Sequence, residues 1–341
     1  MRKKIFLLLL MPMLLFICQA LAGAAVSLPR LSNPKQLLLD NEHIYIVDFP
    51  TVFVYSLKDF SLIREFGKQG EGPKEFKQYI TVFFQDIEPH HLVISSVGKI
   101  SFYSRNGTYI KEVKIPFGGW TFQPLGNKFM GHTLGGTAKE GYKALNIYDS
   151  NLNKIKEIYR KEFFFDESIK KRTLFASNYR YWTHKNKIYV VAKNDFIIEI
   201  FDSNGKPLQP IHRKQYKRVK CTEQHKKNVL DFFKQNPRIK AIFERFKNQI
   251  QFPDYFPAIR DIVIDEGKIF VLTYNRKDGK NEFFIFDMDG KLLQKKFLPI
   301  QTLNGVSPYP YYIKNGRLYQ LVENEDTEQW ELQITLHRLA P

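Results

Sequence analysis

The strongest constraint on the fold is one short pattern that occurs six times along the chain. Each copy contains a turn residue, an alternating apolar strand, a second strand ending in an aromatic residue plus Asp or Ser, a Gly turn and a third strand. The copies begin near Asn41, Pro89, Gly126, Lys185, Glu266 and Asn315. A repeat of this length built only from strands predicts an all-β, six-bladed β-propeller, with seven blades or an open β-solenoid as alternatives.

The clearest copy shows why the pattern folds this way. It contains Gly-Lys-Ile-Phe-Val-Leu at 267–272, Phe-Phe-Ile-Phe-Asp at 283–287 and Asp-Gly-Lys-Leu-Leu at 289–293. β-Branched and aromatic residues suit a pleated, packed surface, and Asp-Gly supplies the positive φ that a tight hairpin requires. One such hairpin cannot bury its own apolar face, so we expect the copies to stack on each other in a closed ring.

The sixth copy lacks a closing strand, because the chain ends at Pro341 soon after its second strand. A closed ring needs this strand from elsewhere in the chain. We predict that residues 26–31 supply it and join the two ends of the ring.

The chain begins with a segment typical of a secretory signal peptide. Basic residues occupy 2–4, an apolar run covers 5–22, and small residues follow at 22–24. We predict a signal peptide over 1–24, cleaved near Ala24 or alternatively after Ala22, and a mature propeller over 25–341 that is periplasmic or extracellular. An uncleaved membrane anchor is one alternative, and lipidation at Cys18 is another, although no small residue precedes that cysteine. No other segment is apolar for long enough to span a bilayer.

Cysteine content and charge restrict the partners of the exported chain. Without the leader only Cys221 remains, so no intramolecular disulfide forms and we expect an inert thiol. The formal net charge is +17, and removing Arg2, Lys3 and Lys4 leaves +14. Because an exported protein rarely meets nucleic acid, this charge suits anionic lipid, cell-wall polymer or acidic glycan; a solvated Lys-rich surface without a dedicated partner is the alternative. We expect a monomer.

The spacing between copies is interrupted once, by an insertion at about 210–257 between the fourth and fifth blades. Helices are predicted over 223–234, with Thr222 as the N-cap, and over 238–250, separated by Asn236-Pro237. Their apolar faces predict a lid packed on the ring. The alternative is a hairpin that docks a partner or contacts a membrane surface, because basic residues crowd its approach at Arg213, Lys214, Lys217, Arg218, Lys220, Lys226 and Lys227.

Catalytic motifs are missing from the sequence. It contains no Gly-x-Ser-x-Gly, His-Glu-x-x-His or phosphate-binding loop, so we assign no catalytic residue, no metal ligand and no cofactor. Propellers bind ligands at the ring axis, on the face where the innermost strands begin. The chain entering those strands carries aromatic, arginine and acidic side chains suited to stacking and bidentate hydrogen bonds, and packing between blades is the alternative role for the aromatics. The ligand-binding candidates are Trp120, Arg180, Tyr181, Arg260, Asp261, Tyr309 and Tyr311.

Two segments carry a family resemblance. Phe-Gly-x-x-Gly-x-Gly-Pro-x-x-Phe at 66–76 resembles the signature of NHL-type repeats, and 253–265 with 267–271 resembles the same group. The chain is similar to exported bacterial six-bladed propellers related to the NHL and TolB-like folds. This resemblance implies a binding ring. Enzymes on this fold, such as lactonases and amidating lyases, place a metal on the axis.

The function predicted from these features is a non-catalytic, exported binding or scaffold propeller. It recognises a protein, a glycan or another anionic ligand at the axial face of the ring. The first alternative is a metal-dependent enzyme of lactonase, lyase or hydrolase type with an axial site. A second is an envelope-assembly component that docks its partner through the helical insertion.

Overall fold

The computed structural model of the chain describes residues 24–115, 119–137, 141–162, 172–175 and 179–336. The predicted signal peptide, residues 1–24, lies outside the described residues except for Ala24, so its cleavage stays a prediction. No helix in the described ranges is long and apolar enough to cross a bilayer.

The described residues form six four-stranded antiparallel sheets, one for each sequence repeat, which confirms the six-bladed propeller. The first strand of each blade is innermost, because these strands contact one another around the ring. From the innermost strand outwards, blade 1 consists of Gln36–Leu39, His43–Asp48, Thr51–Ser56 and Leu62–Phe66. Blade 2 consists of Thr81–Phe84, Leu92–Ser96, Lys99–Tyr103 and Tyr109–Lys114. Blade 3 consists of Gly119–Leu125, Lys128–Gly136, Gly141–Tyr148 and Lys154–Glu162.

The second half of the ring follows the same order, with one difference in the last blade. Its outermost strand is Ala24–Ser27, which comes from the other end of the described chain. Blade 4 consists of Arg180–His184, Lys187–Val191, Ile197–Asp202 and Ile211–His212. Blade 5 consists of Asp261–Asp265, Lys268–Lys277, Lys280–Asp287 and Leu292–Leu298. Blade 6 consists of Tyr311–Lys314, Arg317–Asn324, Gln329–Leu336 and Ala24–Ser27.

The core lies between the blades, as stacked hairpins require. Tyr45 of blade 1, for example, packs in one buried cluster with Val82 and Ile94 of blade 2. Glutamine side chains also join neighbouring innermost strands: Gln36 exchanges two hydrogen bonds of 2.9 Å with the backbone of Val82. Apolar burial and these amide contacts fix each blade against the next.

The predicted closure of the ring by the N-terminal segment is confirmed. Ala24–Ser27 pairs antiparallel with Gln329–Leu336, in a register that sets Ala25 opposite Gln333. The strand therefore begins and ends earlier than the predicted segment 26–31. The rest of that segment places Leu28 and Leu31 in the hydrophobic core of blades 1 and 6.

The insertion after blade 4 is helical, as predicted. Helix α1 covers Glu223–Gln235 and begins at the Thr222 cap, and helix α2 covers Pro237–Phe246. A 3-10 turn, Lys247–Gln249, replaces the last turn of the predicted second helix. Phe243 is buried and Phe232 and Phe246 are half-buried, whereas Ile242 is 57% exposed. Most of the apolar face therefore packs on protein, as the lid interpretation requires.

Two short parallel strand pairs connect elements outside the blades. They are Lys68–Gln69 with Glu75–Phe76, and Arg172–Thr173 with Ile250–Gln251. The first pair explains the glycine signature between blades 1 and 2. Gly67 has φ +95°, and a Cβ there would lie 2.6 Å from the ring of Phe76, which is completely buried. Only glycine fits this position, so the signature is structural.

Candidate functional site

A pocket opens on the face where the innermost strands begin, over blades 5, 6 and 1. Asp261, Tyr311 and Gln36 are the first residues of those innermost strands, and all three line it. Its volume of about 660 Å³ lies within the range of small-ligand sites, roughly 300–1,000 Å³. We call this cavity the axial pocket.

Part of the axial pocket is bounded by the helical insertion. Phe232 in α1 lines it, as do Asn236 and Pro237 at the junction of the two helices. The break that ends α1 in the sequence therefore brings an aromatic ring and an amide side chain over the pocket. The cap is ordered by a hydrogen bond of 2.9 Å from the Asn236 N–H to the Phe232 carbonyl.

One wall of the axial pocket is the segment leading into blade 1, with Asn33, Pro34 and Lys35. The Asp48 carboxylate accepts hydrogen bonds from the backbone N–H groups of Ser32 and Asn33. Trp330 donates its indole N–H to the Ser32 carbonyl at 3.3 Å. These contacts tie the segment to blades 1 and 6, which preorganises the wall.

Aromatic side chains form another part of the lining. The rings of Tyr309 and Trp330 meet edge to face, with centroids 5.8 Å apart. Tyr309 is half-buried and Tyr311 is buried, so their rings are held by packing. Aromatic rings fixed in this way offer flat apolar surfaces to a ligand with little loss of side-chain entropy.

The charged groups of the axial pocket are mostly acidic. Asp261 and Glu323 line it, against the single ammonium group of Lys35, which itself donates to Asn33 at 2.6 Å. Desolvation raises the pKa of Asp261 above its ordinary value, although Arg180 opposes this shift. The Asp261 side chain keeps 34% of its surface accessible, on the side that faces the pocket. A carboxyl group poised this way favours hydrogen bonding to neutral or cationic groups over contact with an anion.

Both predicted arginines lie beside the axial pocket rather than in its lining. Arg180 donates to the carbonyl oxygens of Ile259, at 3.0 Å, and of Arg260, and its guanidinium approaches Asp261 at 4.0 Å. The Arg260 guanidinium is buried over the Tyr274 ring at 5.3 Å, and this burial lowers the pKa of Arg260 to about 10. Arg180 therefore positions the backbone that presents Asp261.

Two predicted aromatics lie away from the axial pocket. Tyr181 is buried in the cluster between blades 3 and 4, where its hydroxyl donates to the carbonyl oxygens of Thr121 and Met130. Packing between blades, the alternative role, accounts for this placement. Trp120 has its backbone in the innermost strand of blade 3, and its side chain falls outside the described residues. Of the seven candidates, Asp261, Tyr309 and Tyr311 are brought together in the pocket.

Several lining residues were missing from the candidates. Trp330 lies in the third strand of blade 6, Phe232 and Asn236 in the insertion, and Asn33 before blade 1. Two signals could have pointed to them: Trp330 is one of only three tryptophans, and Asn236-Pro237 interrupts an amphipathic helix. Neither signal says which parts of the chain meet.

Potential metal ligands are dispersed. Across the described ranges, no three His, Cys, Asp or Glu side chains come together in a way that could hold a metal ion. The Cys221 thiol is buried, and this burial raises its pKa, which is typical of an unreactive cysteine.

Ring, lid and pocket together define a six-bladed β-propeller with a roofed cavity on its axial face. No family model and no curated protein matches the chain. Among solved structures it is similar to a "Putative exported protein" from Bacteroides fragilis, with 10% identity, a TM-score of 0.50 and coverage of 92% of this chain and 94% of that chain.

Two further solved structures are similar at lower TM-scores. One is a member of the DUF4221 family from Bacteroides vulgatus, with 9% identity, a TM-score of 0.49 and coverage of 92% and 96%. The other is a luciferin-regenerating enzyme, with 12% identity, a TM-score of 0.43 and coverage of 92% and 95%. At such identities the likeness concerns the fold alone.

Proposed function

We propose that this chain is an exported binding propeller that takes a neutral or amino-substituted glycan in the axial pocket. The observation that carries the proposal is the lining itself, which combines aromatic rings of blade 6 with amide and carboxyl groups of the insertion and of blades 1, 5 and 6. Aromatic faces pack on the apolar faces of sugar rings, while amides and carboxylates hydrogen bond to hydroxyl groups.

The wider prediction of an anionic ligand at the axis loses its physical basis in this pocket. It depended on Arg180 and Arg260, whose guanidinium groups are directed to backbone carbonyls and to the Tyr274 ring. The lining itself carries two carboxyl groups, of Asp261 and Glu323, against the one ammonium group of Lys35. A glycan therefore fits better than an acidic ligand.

The proposal also includes export of the protein and its membership of the NHL and TolB-like group. The leader at residues 1–24 supports secretion, as does the name of the similar Bacteroides fragilis protein. The glycine signature at 66–76 supports a place in the NHL and TolB-like group. The enzymatic alternative, with a metal on the axis, stays a prediction that has no ligand set in the described part of the chain.

Titration calorimetry and the change in tryptophan fluorescence, to which Trp330 contributes beside Trp120 and Trp182, test the proposal with neutral, amino and uronic-acid oligosaccharides. We expect a neutral or amino oligosaccharide to bind, and Tyr309→Ala and Asp261→Asn each to weaken binding about tenfold or more, equivalent to about 1.4 kcal/mol. Tyr255→Ala is the matched control, because Tyr255 is 45% exposed and lies outside the axial pocket. Binding only of uronic acids, strengthened by Asp261→Asn, would show an anion site instead.

A further inference from the structure

A second pocket lies on the outer rim of the same face, between blades 4 and 5. One wall is the segment 212–217, which follows the outermost strand of blade 4, and the other is formed by outer strands of blade 5. Its volume is also about 660 Å³. Its lining differs from that of the axial pocket, because basic side chains dominate it. We call this cavity the rim pocket.

The single carboxylate of the rim pocket is already compensated. Glu282 has a side chain only 2% exposed, and it pairs with Lys295 at 2.7 Å. It also accepts hydrogen bonds from the Thr273 hydroxyl at 2.8 Å and from the Asn275 amide at 3.1 Å. These partners compensate the Glu282 charge, and none of the cations on segment 212–217 pairs with it.

Those cations are Arg213, Lys214 and Lys217. None of them has a carboxylate partner among the residues that the structure describes. The neighbouring lysines of the insertion are different: Lys226 pairs with Glu223 at 2.7 Å, and Lys227 is likewise paired. Three cations without a carboxylate partner therefore lie together at the rim pocket.

Arg213 is held in a position to bind an anion. Its guanidinium lies 4.6 Å from the centroid of the Phe284 ring, and this cation–π contact fixes it against blade 5. Its Nε is buried and has no hydrogen-bond partner in the described structure. The two terminal Nη groups are not buried and make no hydrogen bond in the described structure, so they form the open edge of a planar fork that matches two oxygens of an oxyanion.

We propose that the rim pocket binds a phosphate or sulfate monoester. The Arg213 fork takes two oxygens of the group, and Lys214 and Lys217 neutralise its remaining charge. Phosphate and sulfate esters share the tetrahedral oxyanion that this arrangement recognises. The group can come from a soluble sugar ester or from a lipid headgroup, and the experiment separates these sources. The site is independent of the axial pocket and of the glycan proposed there.

The test uses the mature chain with three probes: glucose 6-phosphate, glucose 6-sulfate, and vesicles of phosphatidylcholine with or without phosphatidic acid. We expect Arg213→Gln to weaken binding about tenfold or more, and Arg213→Lys to restore only part of the loss, because lysine lacks the fork. Lys217→Gln, which alters an exposed side chain, should weaken binding several-fold without affecting the fold. Lys58→Gln on blade 1 removes the same charge elsewhere and is the matched control.

The outcomes are distinct. Binding of the soluble esters with no preference for acidic vesicles identifies a soluble ligand, and binding of acidic vesicles alone identifies a lipid headgroup. Equal losses in Lys58→Gln and Lys217→Gln would overturn the proposal, since binding would then follow total charge. Absence of binding by all three probes at low ionic strength would overturn it as well.

Discussion

The imidazole of His132 lies between two buried tyrosines, with its ring centroid 5.2 Å from that of Tyr179 and 4.9 Å from that of Tyr181. Burial, reinforced by the charge of Lys143, lowers the pKa of His132 from its ordinary 6.5 to about 3. The folded protein therefore keeps this histidine neutral at pH values where the unfolded chain protonates it.

This histidine makes stability depend on pH. Above pH 6.5 the histidine is neutral in both the folded and the unfolded state and does not lower the free energy of unfolding. As the pH falls from 6.5 towards 3, only the unfolded chain binds the proton, so the free energy of unfolding falls progressively. At pH 4.5 we expect a loss of about 2–3 kcal/mol from this residue. Urea denaturation from pH 7 to 4.5 should show a flatter decline for His132→Phe than for the parent protein. His212→Phe, at an exposed position, is the control, and identical declines for all three proteins would refute this role.

Residue types alone identified the acid and the tyrosines of the axial pocket but not the roles of the arginines. An arginine needs partners, and the sequence shows only acidic ones. Arg180 uses backbone carbonyls and Arg260 a tyrosine ring. Backbone carbonyls and a distant ring become partners only through the three-dimensional path of the chain, which a local residue pattern does not reveal.

At the scale of elements, the latch strand Ala24–Ser27 makes the clearest stability prediction. Leu28, directly after it, donates its N–H to the Trp330 carbonyl at 2.7 Å and is only 3% exposed. We expect Leu28→Ala in the mature chain to cost about 2–4 kcal/mol, because it leaves a cavity between blades 6 and 1. Deleting residues 26–30 should lower the melting temperature further, since it also removes strand pairing.

Scanning calorimetry measures both effects. Leu208→Ala, at a position 37% exposed, is the matched control and should change stability by less than about 1 kcal/mol. A mature chain that melts at an unchanged temperature without residues 26–30 would show that the ring closes by other contacts.

Most elements follow from the sequence pattern, and the exception has a physical cause. The third repeat, with Lys-Phe-Met at 128–130 and Leu-Asn-Ile-Tyr-Asp at 145–149, shows the pattern less clearly than the fifth. Blade 3 nevertheless has long strands such as Lys128–Gly136. Its strands carry buried polar residues, including Asn146, which donates to Thr133 at 2.7 Å and to Tyr148 at 3.1 Å. Hydrogen bonds between such polar side chains let them occupy buried positions, so they interrupt the apolar pattern while the strand pairing stays continuous.

At the scale of the whole molecule, the axial pocket is a product of ring closure. Asn33, Asn236 and Trp330 are far apart in the chain and meet because blade 6 closes on blade 1 beneath the insertion. Repeats predict the ring, but they do not predict which way an insertion folds back. This is why the part of the pocket that the insertion supplies could not be inferred from the strands alone.

The insertion can be removed without opening the ring, because its ends lie side by side. Cys221 donates its N–H to the Asp254 carbonyl at 2.8 Å, and the next hydrogen bond, from Phe256 to Val219, measures 2.9 Å. A short Gly-rich turn can therefore replace residues 222–253. We expect a folded propeller whose melting temperature falls by about 5 °C, because the cluster around Phe256 loses Val229.

This variant also separates the two proposed sites. Loss of the roof should abolish oligosaccharide binding in the axial pocket, whereas the rim pocket keeps the segment 212–217 and should bind phosphate or sulfate esters unchanged. Phe232→Ala is the matched point variant, expected to weaken oligosaccharide binding while the other helical contacts remain. Full oligosaccharide binding by the shortened chain would exclude the insertion from the site, and loss of both ligands with an intact circular dichroism spectrum would mean that the two pockets are one coupled surface.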